Sequence, residues 1–389
     1  MQTEPMLVLL ILLGSCSALV KLPITRSTTV ARKNLTLLDD LTLKDLKPAA
    51  KAKLLARNEL PLSTYGKEFS FDMSIGTPPQ QFSIVLDTAG LETSDFWVTS
   101  VACDPLYAQC KGHRQYDHRK SKTWNSSGIG FTTSRGTKGL LSTDTMNLGP
   151  LQVELQEFGE GWNFPAVTWH ADGHYSFDPV QHVDTGITLF YNMAKQGLLP
   201  EPVVGMYLVH GNTSRGGELF LGGRDSSHYQ GQLAYTGTTN NGWQVKMDSL
   251  KVPAINGSYC VGGCQALLAN QDPYTFGPYK DAINFNKALG ATLYQLYTYT
   301  IIFQFDCKTV SSLPNIIATI AGKDFVIGPE HYVVNTTESD GSTSCVSSIA
   351  GVNFDQGGYD WSLGSAIFEV AYIEFNLQNN QVGLAPSVY

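Results

Sequence analysis

Apolar and polar residues alternate with period two over much of the chain. Phe69, Phe71, Met73 and Ile75 alternate with polar neighbours and stop at Gly76-Thr77-Pro78-Pro79, so residues 69–75 read as a strand ending in a turn. Further strands are predicted over residues 82–87, 96–103, 218–221 and 245–252. Residues 132–146 read as a hairpin turning at Arg135-Gly136, and residues 368–377 and 381–384 as strands joined at Asn379-Asn380. Two helices are predicted, over residues 189–196 with Gly197 as the cap behind, and over residues 281–289. Residues 41–60 have helical periodicity interrupted by Pro48. The rest of the chain reads as strands and turns, so the fold class is all-β.

Composition narrows the class. A length of 389 residues favours two domains. With 42% apolar and 15% charged residues, the chain is neither disordered nor a coiled coil. The net charge of −8 is unevenly placed: residues 21–57 hold nine Lys and Arg against three Asp, which leaves an acidic body. An acidic body excludes a nucleic-acid partner, because such binding is dominated by phosphate neutralisation. The basic leader could fold back on that body.

The first residues read as a signal peptide. Residues 7–13 are unbroken apolar, too short to span a bilayer, and Cys16-Ser17-Ala18 offers a cleavage site after residue 18. Glu4 and the absence of Lys or Arg before the run make its start atypical. No later segment reaches 18 apolar residues, so no membrane anchor is expected. Without Cys16, six cysteines remain: Cys103, Cys110, Cys260, Cys264, Cys307 and Cys345. Fifteen connectivities are possible, and pairing in chain order is the simplest. A metal site built on Cys260 and Cys264 lacks a second Cys or His pair nearby. Glycosylation sequons stand at Asn125, Asn212, Asn256 and Asn335, with Asn34 in the leader. Signal, sequons and cysteines together point to secretion or an endolysosomal lumen.

The chemistry concentrates in residues 69–98. An apolar strand ends in Asp87-Thr88-Ala89 after Ile75-Gly76-Thr77-Pro78-Pro79-Gln80. This resembles the first active-site segment of pepsin-like aspartic proteases, near cathepsins D and E. The resemblance continues in order through Ser121-Lys122-Thr123-Trp124, Ser142-Thr143-Asp144-Thr145, Gly222-Gly223-Arg224-Asp225, Trp243-Gln244-Val245, Gly263-Cys264-Gln265-Ala266, Gly277-Pro278 and Val382-Gly383-Leu384-Ala385-Pro386. It covers residues 65–389 and places the three cysteine pairs where the family has disulfides. It implies a bilobal fold, two β lobes with a cleft between them and one catalytic Asp from each. The corresponding division is a signal peptide at 1–18, a basic prosegment at 19–63, an N-terminal lobe at 64–233 and a C-terminal lobe at 234–389.

Peptide hydrolysis by such a pair needs one ionised carboxylate to take a proton from water and one protonated carboxyl to donate to the scissile carbonyl. Like charges at close range split the two pKa values and so assign the roles. Asp87 holds the first position. Its Asp-Thr-Ala replaces the family's Asp-Thr-Gly, and the link at 90–95 to Trp97 is about three residues longer than usual. Between Gly263-Cys264-Gln265-Ala266 and Gly277-Pro278 the length is unchanged, so the second catalytic position falls on Ala269, followed by Asn270 and Gln271. Ala can neither take nor give a proton. Asp272 is a possible substitute three residues on, though Pro273 follows it and the anchors leave no room for a shift. Asp184-Thr185-Gly186 is a literal match, but it lies in the first half before a helix.

Other cleft positions depart as well. The family's flap Tyr corresponds to Thr132, and the flap gains Arg135 and Lys138. The usual Phe-Asp-Gly-Ile-Leu-Gly-Leu-Gly run is Ala171-Asp172-Gly173-His174-Tyr175-Ser176-Phe177-Asp178, and the late Ile-Leu-Gly-Asp is Ser362-Leu363-Gly364-Ser365. The family's cleft-lining positions map to Ala89, Trp97 and Thr132. His170, Asp172, His174 and His182 could form a metal site, but a solvated loop is expected instead, because Gly173 argues against a helix presenting both histidines. No cofactor and no metal are expected. The leading reading is a monomeric, catalytically inactive aspartic-protease homologue that binds a peptide-like or protein ligand in its cleft. The second is an acid endopeptidase using Asp87 with an unconventional partner such as Asp272. The third is a glycoprotein whose surface alone matters. The basic leader resembles the prosegment that covers the family's cleft until removed; without a working acid pair, self-processing is not expected.

Overall fold

A computed structural model describes residues 19–28, 67–89, 96–133, 136–164, 170–179, 188–209, 215–239, 242–296, 300–337, 341–352 and 358–388. The strands of the first half are β1 (Val20–Thr28), β2 (Lys67–Ile75), β3 (Gln80–Asp87), β4 (Phe96–Thr99), β5 (Asn125–Thr132), β6 (Lys138–Leu148), β7 (Leu151–Asn163), β8 (Gly173–Ser176), β9 (Val203–Leu208), β10 (Arg215–Leu221) and β11 (Ala234–Gly237). They form one sheet with two strands from the end of the chain. Its order is β11, Gln381–Pro386, Ala371–Asn376, β9, β10, β1, β2, β3, β8, β4, β7, β6, β5. A second sheet holds the rest of the second half. Its central strands are Gln244–Val252, Cys264–Leu268, Trp361–Leu363, Thr275–Pro278 and Ile349–Val352. These are the two lobes of the bilobal all-β fold.

Period two in the sequence becomes one buried face. Phe69, Phe71, Met73 and Ile75 are all within 2% of full burial, while Asp72 is exposed. The predicted helices form as Leu189–Lys195 and Tyr279–Ala288, the first closed by Gly197 at φ +68°. The three disulfides join Cys103–Cys110, Cys260–Cys264 and Cys307–Cys345, the pairing in chain order.

Three sequence readings are corrected. The strand from Phe96 ends at Thr99, and the chain turns before Cys103. Residues 368–370 close a short helix, Ser365–Val370, and the strand begins at Ala371. An apolar run this short has no periodicity that separates the two states. The stretch around His174 is no solvated loop. It is β8, inserted between β3 and β4, with His174 fully buried. The signal peptide, the 41–60 stretch, the 90–95 link, Arg135, Asp184, His182, Asn34 and Asn212 lie outside the described residues.

Candidate active site

The centre is built from one strand unit used twice. β3 runs parallel to β8, with Val85 beside His174, Leu86 beside Tyr175 and Asp87 beside Ser176. In the other lobe Cys264–Leu268 runs parallel to Trp361–Leu363, with Leu267 beside Ser362 and Leu268 beside Leu363. Each inner strand then turns toward the other lobe, and the two turns are laced together.

Thr88 and Asn270 do the lacing. Thr88 Oγ1 accepts from Asn270 N at 3.1 Å and donates to Leu268 O at 2.9 Å. Asn270 Oδ1 accepts from Thr88 N at 2.8 Å, and its Nδ2 donates to Leu86 O at 2.7 Å. Each side chain thus satisfies the other's backbone and reaches the carbonyl two residues before its counterpart. A hydroxyl does both jobs with one atom; the Asn amide divides them between two. This reciprocity relates 86–88 to 268–270, and so relates Asp87 to Ala269.

The two related positions differ in chemistry. Asp87 is 3% exposed. Its Oδ1 accepts from Ala89 N at 2.8 Å, and its Oδ2 lies 3.3 Å from His174 Nε2. The His174 ring stacks on Trp97 at 6.0 Å and 15°. Ala269 is fully buried and packs with Ala89 and Leu267, against Tyr359. Gln271 carries the lacing further. Its Oε1 accepts from Phe69 N at 3.1 Å, its Nε2 donates to Phe69 O at 2.9 Å, and the same amide donates to Leu86 O. Where the resemblance expects a small turn residue, an amide bridges to β2 and β3.

Asp87, Ala89, Trp97 and Ala269 therefore belong to one locality. Thr132 does not join them: it is exposed at the end of β5, and Phe131 turns under the hairpin toward Trp97 and Phe164. A Cβ on Gly159 would fall 2.4 Å from the Phe131 ring, so the bare glycine is what admits that ring. Asp272 is half-buried in the turn after Ala269; its N donates to Ala269 O, and its O accepts from Ser365 N at 2.7 Å. Burial, with the Asp272 charge added, pushes the nearby Tyr359 hydroxyl up to about 12. His170, Asp172 and His174 do not converge. Asp172 accepts from Ser83 N and Arg114 at 2.7–2.8 Å, while His174 faces Asp87. Among the described residues no group of three His, Cys, Asp or Glu could hold a metal ion.

A family profile described as Eukaryotic aspartyl protease matches residues 68–387. The chain belongs to the eukaryotic aspartyl protease family. Cathepsin D of Gallus gallus is 33% identical over 405 residues, covering 98% of each chain. Cathepsin D of Homo sapiens is 31% identical over 408 residues, covering 97% of each. The crystal structure of the aspartic proteinase from Irpex lacteus superposes with a TM-score of 0.70 at 18% identity, over 96% of this chain and 98% of its own. Among the described residues, no helix is long and apolar enough to cross a membrane.

Within this aspartyl-protease frame several buried polar atoms stand without a partner among the described residues. Trp97 Nε1, Ser176 Oγ and Ser362 Oγ are three of them. An unmade buried bond costs about 1–3 kcal/mol, so such atoms are uncommon in a folded core. The sequence reading did not foresee the His174–Asp87 pair or the Gln271 bridge. The signal was present for the first: a titratable residue stands where the family run has Ile.

Glu68 supports the same region. It is buried on β2 and accepts from His170 N and Ala171 N, at the entry to β8. Desolvation raises its pKa, and the two backbone donors only partly oppose this. A raised folded-state pKa contributes stability below the ordinary glutamate range of about 4.3, and that contribution is lost as pH rises through the folded value. Urea midpoints between pH 4 and 7 should therefore fall with pH by a component that Glu68→Gln removes. An unchanged pH slope in that variant would contradict this assignment.

Proposed function

We propose that this protein is an aspartyl-protease homologue without peptidase activity, which binds a peptide-like or protein ligand in the cleft as a monomer. The observation that carries this reading is Ala269, which stands in reciprocal relation to Asp87. General acid and general base groups each contribute about 10²–10⁴-fold to such reactions. The reaction takes a second carboxyl to share the proton, the position related to Asp87 holds an alanine, and Asp87 Oδ2 lies 3.3 Å from His174 Nε2.

A secretory or endolysosomal lumen is the proposed location. Three disulfides support it, as do the exposed sequon residues Asn125, Asn256 and Asn335. The reading is tested by calorimetric titration with capped peptides. Binding without turnover is expected, weakened in Asp87→Ala. Turnover, or an affinity indifferent to that substitution, would overturn it.

A further inference from the structure

The leader contributes a strand to the middle of the first sheet. β1 is paired on both edges: Val20–Thr25 run antiparallel to β10, and Ile24–Thr28 antiparallel to β2. Alternation decides which side chains go inward. Val20, Leu22 and Ile24 join the main core at 2–7% exposure, and Arg26 follows them on the same face.

Arg26 is the unusual member. Its side chain is fully buried, as is that of its partner Glu369 on the Ser365–Val370 helix, with Nη2 to Oε1 at 2.9 Å. The guanidinium also donates to Val209 O and lies 5.0 Å from the Phe69 ring centre. His331 Nδ1 approaches the other Glu369 oxygen at 3.1 Å. At the start of β1, Lys21 pairs with Asp225 and sits over Phe220.

The body is shaped around this strand. A Cβ on Gly216 would fall 2.9 Å from Ile24 O and 3.0 Å from Arg26 N, so the bare glycine lets β10 follow the shift in register at Ile24 and Thr25. A replacement strand from residues 29–66 would need alternate apolar residues and then a cation for Glu369. No Arg or Lys in that segment has apolar residues at all three alternate positions before it: Arg32 follows Val30, Thr28 and Arg26, and Arg57 follows Leu55, Lys53 and Lys51. Thr28 is paired directly with Lys67, so residues 29–66 leave and return at one point of the sheet. A cut within them need not disturb β1.

We propose that Val20–Thr28 is a permanent strand of the functional molecule, held in the groove between β2 and β10, and not a cover that departs. Processing within residues 29–66 leaves the leader bound as a second, non-covalent chain. The groove is a strand-receiving surface whose occupant is this leader, selected by its apolar alternation and its terminal arginine. This does not depend on whether the cleft is catalytic.

The test uses the full secreted chain with a site-specific protease sequence inserted between residues 40 and 41. After the cut, size-exclusion chromatography and denaturing mass measurement report whether the leader peptide stays with the body. Co-elution over many hours is expected. Release accompanied by unfolding or aggregation of the body also supports a structural strand. Release that leaves a folded, monomeric body overturns the proposal. Arg26→Ala should speed release by roughly 10²-fold or more, because breaking a buried pair strands its partner charge. If that variant fails to fold, the exchange Arg26→Glu with Glu369→Arg serves in its place: retention restored towards wild type supports the pair, and no restoration refutes it. Release from folded Arg26→Ala at the wild-type rate likewise refutes the role of the pair.

Discussion

Asn270→Ala is expected to lower the free energy of unfolding by about 2–3 kcal/mol, while Asn270→Thr stays within about 1 kcal/mol of wild type. The difference comes from where the bonds go. Asn270 Oδ1 is the acceptor for the buried Thr88 N, and alanine leaves that donor unmet. Leu86 O fares better, since Gln271 also donates to it. A threonine hydroxyl can accept from Thr88 N and donate to Leu86 O with one atom, as Thr88 Oγ1 does for Asn270 N and Leu268 O. Urea midpoints at constant slope measure the two costs. Equal losses would mean that residue size at 270, and not the reciprocal bonds, holds the two turns together.

His174→Leu is expected to cost about 3 kcal/mol or more, because it removes the imidazole beside a buried carboxylate. Asp87 would keep the bond from Ala89 N but lose the neighbour 3.3 Å from Oδ2. The side chains of His174 and Asp87 are 0% and 4% exposed, so water does not compensate. The double variant His174→Leu with Asp87→Ala should recover part of the loss, giving a coupling of about 1–3 kcal/mol in a double-mutant cycle. Strictly additive losses would mean that His174 is held by its stacking on Trp97 and owes nothing to Asp87.

Much of this was legible in the sequence, for identifiable reasons. The strand at 69–75 was readable because Phe69, Phe71, Met73 and Ile75 enter the core and the positions between them, Ser70, Asp72 and Ser74, are polar, which writes period two into the residues. The end at Phe368 was not, because residues 368–375 are buried on all sides in helix and strand alike. β1 could have been read: Val20, Leu22 and Ile24 alternate with Lys21, Pro23 and Thr25. Arg26 breaks that pattern, because a charged residue occupies the next inward position. The assignment of Ala269 to the second position rests on spacing between intact anchors, and its bonding neighbour Asn270 mirrors Thr88 beside Asp87. The partners of Asn270 and Gln271 were out of reach, since they lie more than 180 residues away and their pairing exists only after both lobes fold. His174 fell between these cases. Its substitution was visible as a break in the family run, whereas its contact with Asp87 required the parallel register of β3 and β8.

The proposed inactivity rests on Ala269 standing where the resemblance expects the second acid. The most direct measurement is cleavage of an unfolded protein substrate from pH 3 to 7, with and without pepstatin, by the protein freed of residues 29–66 and by its Asp87→Ala variant. No cleavage above that variant is expected at any pH. Acid-dependent cleavage that disappears in Asp87→Ala would contradict it, and Asp272→Ala would then show whether the half-buried carboxyl after Ala269 is the second acid.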